Sequence, residues 1–198
     1  MIGEDIIGAF ESLGDGGVLI ALVVIVVIDG MGFPTLPEVW LVWLYGVHPD
    51  SLLWGAALVL VGSVAALGGN MGLYVVVRTV GMPSWIKKKM NQYTQFLIVK
   101  DERLLLLNKA APIVPYTGAF IAACSWDLKK STAYIIVGSV AKFAFIVLLA
   151  WLSYDNLERE LAPWVSMAIV AVILAVSIAA SLSYRRRHGV KEVPERSP

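Results

Sequence analysis

D-G-M-G-F-P-T-L-P-E, residues 29–38, interrupts an apolar region, with Val18 to Ile28 before it and Val39 to Val47 after it. Neither flank reaches the roughly 20 apolar residues that a helix needs to cross a bilayer. Pro34 and Pro37 remove backbone donors and stop a helix, and Gly30 and Gly32 permit a tight turn. The stretch therefore reads as the broken tip of a helical hairpin that enters and leaves the membrane on one side. Backbone freed by proline at membrane depth is tolerated only where protein or a water-filled cavity surrounds it, so the tip is expected to face the interior.

The rest of the 198-residue chain agrees with a lipid setting, being 58% hydrophobic and 16% charged with a mean hydropathy of +0.75. A soluble domain carries about 25% charged residues. The chain reads as an all-α integral membrane protein, with one domain over residues 1–184, a basic tail over 185–198 and no nucleic-acid partner. Residues 1–17 hold Glu4, Asp5, Glu11 and Asp15 but no Lys or Arg, so they lack the basic start of a signal peptide. The first apolar run is thus expected to stay in the mature protein. Cys124, alone in an apolar run, cannot form an internal disulfide and reads as a small core residue.

Uncharged runs from Ser51 to Val77 and from Leu161 to Tyr184 are each long enough for about 30 Å of hydrocarbon. They predict spans over 51–78 and 161–184. A third span, 131–153, contains Lys142 near its middle, which must face protein. The short paired pattern of the opening stretch recurs where Leu104 to Leu107 and Ile113 to Trp126 flank N-K-A-A-P-I-V-P, residues 108–115. Two re-entrant hairpins are expected, over 18–47 and 104–126.

Lys and Arg near the ends of short loops favour the cytoplasmic side. Arg78 with Lys87, Lys88 and Lys89, then Lys129 with Lys130, then Arg185 to Arg187 mark three cytoplasmic edges. The acidic N-terminus, His48 to Asp50 and Asp155 to Glu160 fall outside. The order hairpin then span, twice and in opposite orientation, reads as an inverted repeat with a site where the two breaks meet. Between the halves, residues 83–100 set Trp85, Ile86, Met90, Tyr93, Phe96 and Leu97 on one helical face and lysines and amides on the other. That is the pattern of an amphipathic helix on the cytoplasmic membrane surface; a soluble helix packed on the bundle is the alternative.

A charge at membrane depth costs at least about 2.5 kcal/mol, so each one retained is a functional candidate. Four qualify: Asp29, Glu38, Lys109 and Lys142. Asp29 and Glu38 read either as solvated acids at the outer interface or as a pair in a watery cavity, where a carboxylate can take up and release a proton. Glu38 also meets the positive end of the helix that starts at Pro37. Lys109 reads as a snorkelling side chain or as a phosphate ligand, aided by helix N-termini after Pro112 or Pro115. Lys142 can join it, or it is neutral, or it pairs with Asp127 or another acid.

These residues resemble the DedA family, the prokaryotic relatives of the eukaryotic SNARE-associated Golgi (VTT-domain) lipid scramblases. Three motifs between residues 18 and 155 carry the resemblance. Asp29, Pro34, Pro37 and Glu38 are similar to an acid, a proline-rich turn and a second acid, with Asp where Glu is usual. Gly69, Asn70, Tyr74, Arg78 and Gly81 look like a Gly-Asp motif whose acid has become Asn. Lys109, Pro112 and Pro115 look like an Arg-x-x-Pro-x-x-Pro break with Lys for Arg. The resemblance implies transport of a polyprenyl phosphate or phospholipid across a prokaryotic inner membrane, with the C-terminus cytoplasmic. In that reading Asp29 and Glu38 carry protons, Lys109 and Lys142 bind lipid phosphate, and gradient-independent phospholipid scrambling is the alternative.

Other classes fit less well. An aspartyl protease would need Asp29 to face Asp155, and no G-x-G-D pattern is present. His48 and His188 lack zinc-ligand spacing. The expectation is no enzyme, no cofactor and no metal. A scaffold that recruits partners through R-R-R-H-G-V-K leaves Asp29 unexplained.

Overall fold

The computed structural model describes residues 13–33, 35–82, 105–106, 116–158 and 160–187. Among them are six helices and no strand: α1 (Gly14–Gly30), α2 (Pro37–Tyr45), α3 (Leu52–Val80), α4 (Thr117–Ala123), α5 (Leu128–Asn156) and α6 (Ala162–Arg187). The expected surface helix over 83–100 lies outside the described residues. So do Pro34, Lys109, Pro112 and Pro115, and of the first leg expected for a second hairpin only Leu105 and Leu106 are described.

The opening stretch breaks the chain by two separate devices. α1 closes with the N–H of Gly32 on the carbonyl of Asp29 at 2.9 Å and that of Phe33 on Ile28 at 3.2 Å. With Gly32 at φ 101°, this is a Schellman motif, which satisfies carbonyls that the helix leaves open. α2 then starts with Pro37 in its first turn, where the missing N–H costs nothing. Leu36 before it is left-handed, φ 53°. Tyr116 precedes α4 in the same conformation, φ 59°, so α2 and α4 are both launched from a left-handed residue.

α1 and α2 form a hairpin that returns to the end where it began. At its base the Asp15 carboxylate lies 3.0 Å from His48 Nε2. The His48 ring packs edge-on to Trp54, whose Nε1–H donates to the Leu44 carbonyl at 2.8 Å. α1 runs parallel to α3, with Leu22 near Gly62 and Gly30 against Gly69. The hairpin tip thus reaches only Gly69, well short of the α3 end at Val80. α4 covers that remaining part, where Ala119 and Phe120 pack on Leu73 and Val77.

α5 runs antiparallel to α3, placing Phe143 on Gly62, Val147 on Gly55 and Tyr154 on Gly46. α6 starts at the base, where Trp43 of α2 meets Trp164 edge-on and donates to Met167 Sδ at 3.0 Å. The core joins Leu22, Leu41, Leu58, Phe143, Ile146 and Val170 from five helices. Small residues allow this close approach, as in helix pairs that lack a hydrophobic drive for association.

α3 and α5 are each 29 residues long and apolar enough to cross a membrane. Less than half of the most apolar window of either is covered by protein. A core helix of a soluble domain would be covered; here Leu52, Leu60, Val64, Val172 and Val176 stay exposed. An outward apolar surface of this extent is consistent with a helical membrane protein. Exposed Asp15, Asp50, Asp155, Glu158 and Glu160 gather at the base, while exposed Arg78, Lys129 and Lys130 lie at the far end of α3 and the start of α5.

Candidate functional site

Two features stand in the middle part of the bundle. The first is a junction of three backbones. A Cβ at Gly30 would lie 3.0 Å from Gly69 Cα, and one at Gly69 would lie 2.5 Å from the Val27 carbonyl oxygen. A Cβ on Gly118 of α4 would collide with the Asn70 carbonyl, and one on Gly32 would enter the Tyr116 ring. The tip of the first hairpin and the start of α4 therefore both abut the same turn of α3. Asn70, buried there, donates its side-chain amide to the Ala66 carbonyl of its own helix at 2.7 Å.

The second feature is an ion pair. Lys142 Nζ of α5 bonds Glu38 Oε1 in the first turn of α2, with 26% of the Lys142 side chain exposed and 8% of the Glu38 side chain. Asp127 is not its partner: it caps α5, accepting from Lys130 N–H at 2.9 Å, near one end of the helix of which Lys142 is the midpoint. Beside the pair is a cavity of about 400 Å³, lined among the described residues by α5, α6, Glu38 and Leu106. Apart from Glu38 and Lys142 these lining residues are apolar or glycine.

The residues singled out from the sequence fall into distinct places. Asp29 ends α1, half-buried, with its carboxylate 3.5 Å from the N–H of Thr35. Thr35 also ties the break to α1 through its hydroxyl, which donates to the Ile25 carbonyl at 2.9 Å. Glu38 turns instead to α5, so the two acids serve different partners. Gly69 and Asn70 belong to the junction, Tyr74 packs half-buried beside Leu105, Ile121 and Ile135, Arg78 is exposed, and Gly81 at φ 94° ends α3. Among the described residues no group of three His, Cys, Asp or Glu side chains converges as a metal site.

Sequence reasoning missed Gly118, Tyr116 and the cavity wall. Gly118, between Thr117 and Ala119, carried the signal of small residues where helices approach closely. The cavity wall, made of ordinary valine, alanine and phenylalanine, carried none. Compared with protein families, curated proteins and solved structures, the chain matches none.

Proposed function

We propose that this chain is a membrane lipid transporter of the DedA type, moving a polyprenyl-phosphate or phospholipid headgroup across a prokaryotic inner membrane. The observation that carries the reading is the Glu38–Lys142 pair, which joins a buried carboxylate to a part-buried ammonium at the midpoint of α5 beside an apolar cavity. An ionisable pair at membrane depth is costly and marks a polar pathway. The α1–α2 hairpin is then re-entrant from the outer side. Residues 104–126 form its inverted counterpart, and α3, α5 and α6 span, with the basic end cytoplasmic.

In this reading the lipid headgroup passes the junction of the two breaks while its chains stay in hydrocarbon. Asp29 and Glu38 carry protons, and Lys109 and Lys142 attract the phosphate. The test is translocation of labelled lipids in reconstituted vesicles, with and without a pH gradient, comparing wild type with Asp29→Ala and Lys109→Ala. Loss of translocation in folded variants is expected; full retention in both overturns the mechanism. Transport that ignores the gradient would assign gradient-independent scrambling instead.

A further inference from the structure

The cavity beside Lys142 has a shape and polarity of its own. Its volume, about 400 Å³, lies toward the low end of the roughly 300–1,000 Å³ of small-molecule sites. Ile146 and Val170, both buried, form its closed side. Val137, Phe145 and Ile173 form its rim, and all three are exposed on the apolar outer surface of α5 and α6. The entrance is therefore lateral and apolar, suited to a ligand that arrives from hydrocarbon.

The polar end of the cavity is asymmetric in charge. Glu38 is nearly closed off, whereas a quarter of the Lys142 side chain remains accessible. An incoming group meets the ammonium first, so a cationic head is repelled and a neutral one gains little from Lys142. An anion gains a charge-assisted hydrogen bond in a setting of low dielectric. Glu38 competes for the same ammonium, which makes the site an exchange between an internal carboxylate and an external anion.

From these features we propose that the cavity binds one hydrocarbon chain of an anionic amphiphile, an alkyl or prenyl phosphate or a fatty carboxylate, with the head on Lys142. The ligand class rests on the lipid-transport reading; the location does not, because it follows from the cavity and the pair. The site shares Glu38 with the first hairpin break, and α5 and α6 supply most of its wall. Its volume suits a single chain rather than the paired chains of a phospholipid.

The test is equilibrium binding of radiolabelled hexadecyl phosphate to the full chain in nanodiscs, without any gradient. Competition by hexadecanoate distinguishes a carboxylate from a phosphate preference, and hexadecyltrimethylammonium serves as the charge control. Ala141→Leu, which places a good helix former in the cavity, should weaken binding at least tenfold. Lys142→Gln should do the same and Lys142→Arg should restore most of it. Glu38→Gln, which removes the internal competitor, should tighten binding several-fold.

Equal competition by the cationic amphiphile, or unchanged binding in Ala141→Leu, overturns the site. Binding by wild type with no lipid translocation in vesicles supports the site and removes the transport reading. Translocation with no saturable binding does the reverse.

Discussion

The ammonium of Lys142, at the midpoint of α5, is bonded to the carboxylate of Glu38 in the first turn of α2. Removing one partner leaves the other charge buried alone, which costs about 3 kcal/mol at the low end of measured cases. Lys142→Met is expected to lose about that much stability, and Glu38→Met added to it should recover most of the loss, since hydrophobic replacement of a buried pair is often neutral. Unfolding followed by circular dichroism in mixed micelles decides; a double variant no more stable than the single one contradicts the pairing.

The glycines of the junction give a sharper contrast. Gly118→Ala drives a methyl group into the Asn70 carbonyl and Gly69→Ala drives one into Val27, backbone against backbone in both cases. Each should cost about 1–3 kcal/mol or more as overpacking. Gly68 and Gly72, on the same helix, have open space around a Cβ. Gly68→Ala should therefore be neutral or stabilise by about 0.5–1 kcal/mol. Equal losses at Gly68 and Gly69 would show that the close crossing is absent.

The helices were legible in the sequence because uncharged length is a sufficient signal for them. Helices α3, α5 and α6 occupy the stretches 51–78, 131–153 and 161–184 with ends moved by a few residues, partly because Ser51 and Asp127 cap their helices, and of the three α3 and α5 are long and apolar enough to cross a membrane. α1 begins at Gly14 rather than near Val18, since Asp15 in its first turn suits the dipole even though the hydropathy does not mark it. The partner of Lys142 is not legible in the sequence, because nothing local to either residue tells that the first turn of α2 faces α5. Long-range register of this kind is set by the Gly55 and Gly62 contacts with Val147 and Phe143, which slide α5 into place.

Asp127 supplies a pH-dependent contribution at the charged end of the bundle. The Lys130 backbone N–H holds its carboxyl below the ordinary 3.8, helped by the Lys129 backbone N–H and the charges of both lysines. A carboxylate lowered on folding stabilises above its unfolded value and loses that contribution as the pH falls through the folded value. Asp127→Asn keeps a capping side chain without the titration. The stability difference between wild type and this variant should be constant above about pH 5 and shrink below 3.8. A difference that stays flat through that range contradicts the assignment.

The two charged ends also fix a prediction about orientation. Asp50 precedes α3 and Lys130 opens α5 at the opposite end, about 43 Å away if measured along the 29 residues of α3. That exceeds the roughly 30 Å of a hydrocarbon core, so the two positions should face opposite compartments. In a Cys124→Ala background, Asp50→Cys should react with a membrane-impermeant maleimide on intact bacterial spheroplasts. Lys130→Cys should react only after permeabilisation, because basic ends stay cytoplasmic. Labelling of both from one side would remove α3 as a span, and the reverse pattern would invert the assignment of the hairpins while leaving the Glu38–Lys142 pair between α2 and α5 untouched.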